Sequence, residues 1–287
     1  MSFFSKLNSF FTSCDTNTNY ESFIETKLLT PNTTTGFKSE ITKHITPSFS
    51  ITSSYTLSDK LLKYFSFTST FIGPNYFIQN TIDQERNLQN RFTAQINNLI
   101  IKAHSLYSKT NGSYSQLELN NPFLGGNLGY KIISPAIKEV SPIQVINYVK
   151  KLKNIYVGLE GIFTTERNKQ PELGISLALK KESPTSELAL TIQQLTSLNI
   201  CYLRSFNPLI KMGIDFNYSL LTKENNSNVY LLLKSRRTEI RSQIEKNGKI
   251  FTSIEEKMND NLNMSLSVES DLIKGCIYIG MGFSLLN

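Results

Sequence analysis

The chain has 287 residues, a formal net charge of +7, 39% hydrophobic residues and only 18% charged ones. Globular chains carry about 25% charged residues, so this one is short of the charge that a water-soluble exterior of its size needs. It holds no unbroken apolar run of the roughly 18 residues that a transmembrane helix needs, and its first residues lack the sustained apolar core of a secretory signal.

Residues 1–36 do not alternate. Phe3, Phe4, Leu7, Phe10 and Phe11 recur at helical spacing, and Tyr20 to Leu29 is a second short helical candidate. Pro31 and the Thr33-Thr34-Thr35-Gly36 run end it. The expectation is an N-terminal segment, 1–36, with a short helix, followed by one β-domain over 37–287.

From Phe37 onward the period is two. Phe49, Ile51, Tyr55 and Leu57 alternate with serines and threonines; Phe65, Phe67 and Phe71 do the same one strand later. The pattern continues through Leu173–Lys180, Ile210–Tyr218 and Leu262–Val268. It ends on Lys274–Leu285, where Ile277, Ile279, Met281, Phe283 and Leu285 oppose Lys274, Cys276, Tyr278, Gly280, Gly282 and Ser284. The last stretch has the length that a tilted strand needs to cross a bilayer, about 9–11 residues. Turn signals separate the segments: Gly73-Pro74-Asn75, Asn111-Gly112, Asn121-Pro122, Ser134-Pro135, Asn207-Pro208, Asn225 to Asn228 and Asn247-Gly248. Ser141–Lys153 also fits a short amphipathic helix, but strand is preferred because its neighbours otherwise lack a partner. Together these features predict an all-β fold: a transmembrane up-and-down barrel of about 19 strands, apolar outside and polar inside.

Catalytic constellations are absent. There is no G-x-S-x-G, H-E-x-x-H or Walker A loop. Cys14, Cys201 and Cys276 are an odd, widely spaced set, and His44 and His104 are the only histidines, so neither a disulfide framework nor a metal site is expected. Gly125, Gly126 and Gly129 read as relief of crowding in a curved strand rather than as a phosphate cradle. Arg236-Arg237 reads as a strand-end pair at the headgroup level. No catalytic, cofactor or metal residue is assigned, and the chain is read as a non-enzyme without cofactor. The positive charge suits an anionic membrane surface and does not require nucleic acid.

Reading the polar parity inward gives Glu118, Glu160, Asp215, Glu239, Glu245 and Glu269 as lumen acids. Lys38, Arg91, Lys102, Lys180, Lys211, Lys234, Arg241 and Lys274 are the inward bases. A lysine or arginine at the lipid midplane costs about 2–4 kcal/mol, which is why charges belong on one parity. Each acid taken singly reads as a neighbour-paired charge; only several together would make a binding surface.

Three passages carry a resemblance. They are Gly36 to Leu57, with a histidine near the end of a strand; Phe71 to Phe92, similar to G-x-L-D-x-x-G-x-L-x-x-R with Asp83, Leu88 and Arg91 in place; and the C-terminus, where Gly280, Phe283 and Leu285 match a barrel-insertion signal. On these the chain resembles the mitochondrial porin superfamily, and within it the channel-forming barrel subunits of the outer-membrane translocase. Barrels of this superfamily have nineteen strands, so the first and last would pair in parallel and the N-terminal segment would lie near the lumen. The resemblance implies a multi-pass protein of the mitochondrial outer membrane, or that of a related organelle. It would import unfolded precursors with cationic presequences past the inward acids. The implied partners are small single-helix translocase subunits, a central receptor, a second barrel copy and membrane lipid. A voltage-dependent anion channel-like porin for small anionic metabolites remains the alternative: net charge favours it, while the Asp83–Arg91 passage favours import.

Overall fold

The computed structural model describes residues 20–23, 29–58, 63–109, 112–134, 141–165 and 171–286. Nineteen strands follow a 3-10 turn at Tyr20–Phe23: β1 Gly36–Thr46, β2 Phe49–Leu57, β3 Tyr64–Ile72, β4 Tyr76–Asp83, β5 Leu88–Ile96, β6 Leu99–Ser108, β7 Gly112–Phe123, β8 Gly126–Ser134, β9 Ile143–Leu152, β10 Ile155–Thr164, β11 Glu172–Glu182, β12 Ser186–Gln193, β13 Ser197–Asn207, β14 Ile210–Ser219, β15 Asn225–Lys234, β16 Thr238–Glu245, β17 Lys249–Asn259, β18 Leu262–Asp271 and β19 Cys276–Leu286. Each strand pairs with the next, and β1 closes the sheet on β19 in parallel, Gly36 opposite Gly280 and Thr42 opposite Leu286. The predicted strand count and the parallel closure are both present. The segment 141–153, read between helix and strand, forms β9.

Closure follows from the pattern. Alternation puts one apolar row on every strand, and an open sheet would leave two edges of unpaired backbone in hydrocarbon. Phe37, Phe65, Leu177, Ile214 and Ile279 are exposed on the outer face. The outer face is charged at Lys43, Lys150, Lys181, Arg204 and Glu256 among the described residues, each within four residues of a strand end. The opposite parity holds most of the hydroxyls and amides and the remaining strand charges.

Three expectations need correction. Asn121-Pro122 lies inside β7 and the turn follows at Leu124-Gly125, with φ of 48° and 71°. Asn225 to Asn228 begins β15, and the turn precedes it at 220–224. Asn121, Asn225 and Asn226 are exposed within these strands, so their amides stay solvated while the backbone pairs. Lys274 is not an inward strand residue: β19 begins at Cys276, and Ile273 and Lys274 donate backbone N–H bonds to Asp271 Oδ1 at 3.1 and 3.0 Å, which caps the preceding turn. The Phe3–Phe11 helical candidate lies outside the described residues, as does half of Tyr20–Leu29, residues 24–28.

Candidate functional site

Among the described residues, charged side chains accumulate mainly on the lumen side of the strands. Nineteen strands spaced about 4.8 Å apart and tilted about 40° give a circumference near ~120 Å, hence a backbone radius of ~19 Å. Barrels of 16–18 strands already leave an aqueous channel.

The chain's own N-terminal segment occupies part of that channel. Phe23 is buried against Val149, Tyr156 and Ala178 on β9–β11, with Tyr20 packed beside it. Leu29 is buried against Leu203 and Tyr230 on β13 and β15. Asn32 donates to Glu255 at 3.2 Å. Thr34 is gripped from both sides of its peptide: its N–H donates to Ser267 Oγ at 3.1 Å, and that hydroxyl donates to the Thr34 carbonyl at 2.7 Å. Thr35 then meets Ser58 at 2.8 Å before the chain enters β1. These contacts make residues 20–23 and 29–35 a strap along the inner wall, which agrees with the expected place of the N-terminal segment near the lumen.

Glycines admit the strap. A Cβ on Gly280 would stand 1.5 Å from the Thr34 carbonyl oxygen; one on Gly213 would stand 2.7 Å from Leu29 Cδ1, and one on Gly158 2.9 Å from the Tyr20 ring. Gly280 was read from sequence as part of an insertion signal, and the fold gives it this contact as well. The other two signal residues, Phe283 and Leu285, lie on the outer parity, Phe283 beside Phe37 at a ring separation of 5.9 Å. Tyr20 lies off the strands, and its hydroxyl is pushed up to about 12, first by burial and then by the negative charge of Glu160.

The register puts all six sequence-predicted acids on the inward parity, but does not gather them into one patch. Glu118 on β7 is buried and accepts from Lys102 at 3.0 Å and from Asn120. Glu160 on β10 sits opposite Asn147 and Ser176. Asp215 accepts from Asn199 at 2.9 Å and shares a row with Asn228 and Glu245. Glu239 holds Arg241 at 2.6 Å and Lys234 at 3.8 Å, and Glu245 accepts from Gln243 at 3.3 Å. Glu269 lies between Phe251 and Tyr278. Of the inward bases, Lys180 is buried between Glu182 and Glu187 at 3.1 and 3.2 Å. Lys38 pairs with Glu40 at 2.7 Å.

A cavity of about 640 Å³ lies between the strap and the β15–β19–β1 wall. It is lined by Lys38, Lys234, Arg236, Arg237 and Lys257 and by Glu40, Glu239 and Glu255. Arg236 and Arg237 therefore face this cavity as well as marking a strand end. Sequence reasoning passed over Glu255, although the alternation of Lys249–Asn259 places it inward. It also read Asp83 as a family mark alone. In the fold the Asp83 carboxylate builds the β4–β5 turn: Asn87 donates its N–H and its amide at 2.8 Å each, and Tyr64 its hydroxyl at 3.2 Å. His44 and His104 both lie inward, His104 within 2.9 Å of the Gln89 amide.

The sequence profile described as eukaryotic porin matches residues 23–275. No curated protein matches the chain. Solved structures that resemble it include engineered variants of the Rhodopseudomonas blastica porin. One is 10% identical with a TM-score of 0.44, covering 82% of this chain and 91% of that one. Another is 10% identical with a TM-score of 0.42, covering 80% and 89%. The family match spans nearly the whole barrel, strap included from Phe23 onward. The chain belongs to the eukaryotic porin family and is a membrane-spanning, channel-type barrel of the outer-membrane kind.

Proposed function

We propose that the lumen conducts unfolded precursor polypeptides across the outer membrane of a mitochondrion or mitochondrion-related organelle. The observation that carries this reading is the Asp83-to-Arg91 passage. It is where the sequence resembles translocase barrels rather than metabolite porins, and its aspartate organises a whole turn. The lumen supports it on size. A helix is about 10–12 Å across with side chains, and the bore is wide enough to pass one beside the strap. The six inward acids, Glu118, Glu160, Asp215, Glu239, Glu245 and Glu269, would act in succession on a cationic presequence, with Glu118 and Glu239 exchanging their lysine or arginine partners for the passing charge. Small single-helix subunits, a central receptor and a second barrel are the partners this reading calls for.

A metabolite porin is the second reading. The net charge of +7 and the mixed charge of the cavity beside the strap favour it. Conductance across planar bilayers separates the two. Under import, a cationic amphipathic peptide blocks the open channel from one side, and changing the six acids to glutamine relieves the block. Block by nucleotide but not by peptide would overturn the import reading.

A further inference from the structure

The acids around the cavity beside the strap are already engaged. Glu40 pairs with Lys38 at 2.7 Å. Glu239 holds Arg241 at 2.6 Å and Lys234 at 3.8 Å, and Glu255 accepts from Asn32 at 3.2 Å. Three cations on the same cavity stand outside these pairs. Among the described residues, the side chains of Arg236, Arg237 and Lys257 make no hydrogen bond or ion pair.

The strands put these groups in one line. The β16–β17 register pairs Thr238 with Glu256, and the Lys257 N–H donates to the Arg237 carbonyl at 2.9 Å, so Arg237 and Lys257 face each other one step further on. The same inward row continues to Asn263 on β18 and Ser284 on β19. Both line the cavity, and neither side chain has a partner among the described residues. Like charges directly opposite on adjacent strands destabilise a sheet, and Arg236 in the adjoining turn adds a third. Guanidinium, ammonium, amide N–H and hydroxyl can all donate, and together they match the oxygens of a phosphate. Thr33 lines the cavity from the strap side. We propose that this cavity binds a phosphate monoester, held by Arg236, Arg237, Lys257, Asn263 and Ser284 and closed over by Thr33 of the strap.

Size agrees, since the 640 Å³ of this cavity falls within the range of about 300–1,000 Å³ for small-ligand sites. The esterified group is left unspecified. The one aromatic residue of the lining, Phe283, belongs to the outward parity, so no ring is placed to stack a nucleobase. The donors face the lumen. A soluble ester reaches them directly, whereas a lipid phosphate has to bring its chains over the rim. Because the strap forms one wall, the ligand binds the docked strap and not the lifted one, and binding stabilises docking by mass action. The phosphate thereby acts as an effector of the strap and of the bore that the strap narrows. The site needs the strap in the lumen and is independent of which cargo the lumen conducts.

The test uses the full chain, refolded in zwitterionic detergent and in phosphatidylcholine vesicles. Glycerol phosphate is titrated by calorimetry, with glycerol at matched ionic strength as the control. Lys257→Gln should weaken binding about tenfold, the size of one hydrogen bond between charged groups, and Arg237→Gln should repeat the effect. Each relieves a like-charge pair, so both variants should fold and melt no lower than the wild type without ligand. Lys211→Gln removes the same charge from the inward face of β14, three strands from Lys257 and beyond the Debye length of about 8 Å; it should leave binding nearly unchanged. Equal weakening by Lys257→Gln and Lys211→Gln, or no binding of either glycerol phosphate or vesicle phosphatidate, overturns the site. At ten times its Kd, glycerol phosphate should raise amide protection of residues 32–34 about tenfold. Binding with unchanged protection overturns the strap's part in it. Adenosine monophosphate that binds more than about tenfold tighter than glycerol phosphate overturns recognition by the phosphate alone. Strap protection that rises with phosphatidate in the vesicles, and not with glycerol phosphate, supports the site with a lipid as its source.

Discussion

Replacing Gly280 by alanine tests whether the strap is held where the lumen contacts place it. The new methyl would stand 1.5 Å from the Thr34 carbonyl oxygen and 2.7 Å from Ser267 Oγ. A backbone carbonyl cannot swing aside, so residue 34 must move. Moving it breaks the two bonds between Thr34 and Ser267. At about 1 kcal/mol net each, docking loses ~2 kcal/mol, roughly a 30-fold rise in strap opening. The neighbouring inward glycine is the control. A Cβ on Gly282 would meet Ser265 Oγ at 2.3 Å, the end of a rotatable side chain, with backbone no nearer than 3.7 Å. Gly282→Ala should therefore leave docking nearly unchanged. The assay is amide hydrogen exchange on residues 29–35 in barrels refolded into detergent, which bypasses any role of Gly280 in membrane insertion. A loss of protection of about 30-fold in the first variant alone is expected. Equal protection in the wild type and Gly280→Ala, or equal loss in both variants, would refute the reasoning.

Other outcomes follow from the same contacts. Leu29→Ala empties a buried site against Leu203 and Tyr230; it should weaken strap docking by about 2–3 kcal/mol, seen as faster proteolysis within residues 29–35 while the barrel stays folded. Tyr20 should titrate late in alkaline difference absorbance, near pH 12, and Tyr20→Phe should remove that late phase. Because docking raises its value above the ordinary 10, its contribution is complete below about pH 10 and is lost as pH rises towards 12; strap protection should fall across that window in the wild type and stay flatter in the variant. Lys180→Met leaves Glu182 and Glu187 without their shared cation; the reversal potential in a salt gradient should shift towards cation selectivity and the melting temperature should drop. An unchanged reversal potential would mean that this charge does not line the ion path.

The strands were legible because each one states its own orientation. Ile277, Ile279, Met281, Phe283 and Leu285 can lie on one face only if the segment is extended, and the same rule repeated along the chain gives the count. The inward position of the acids followed from the same parity. What those acids touch did not, because Glu239 meets Arg241 on its own strand whereas Glu118 meets Lys102 across a turn. The strap was only partly visible. Its apolar anchors are sparse and its grip on Ser267 joins distant parts of the chain, so no local pattern announces it. The outer face carries a polar row that was passed over: Ser69, Asn80, Asn90, Ser105, Ser115 and Ser134 are consecutive register partners. Ser69 falls between Phe67 and Phe71, where the alternation calls for a bulky residue. A single serine there looks like noise until the register lines it up with five others.

The parallel seam between β1 and β19 has a temporal consequence. The strand that completes the wall is synthesised after the other eighteen, and it must find the first. Until it does, eighteen strands form a curved sheet with two bare flanks, unable to enclose a bore and open to whatever chaperone covers them. Removing Cys276–Leu286 should therefore yield a protein that never seals, whatever the quality of the sheet already made.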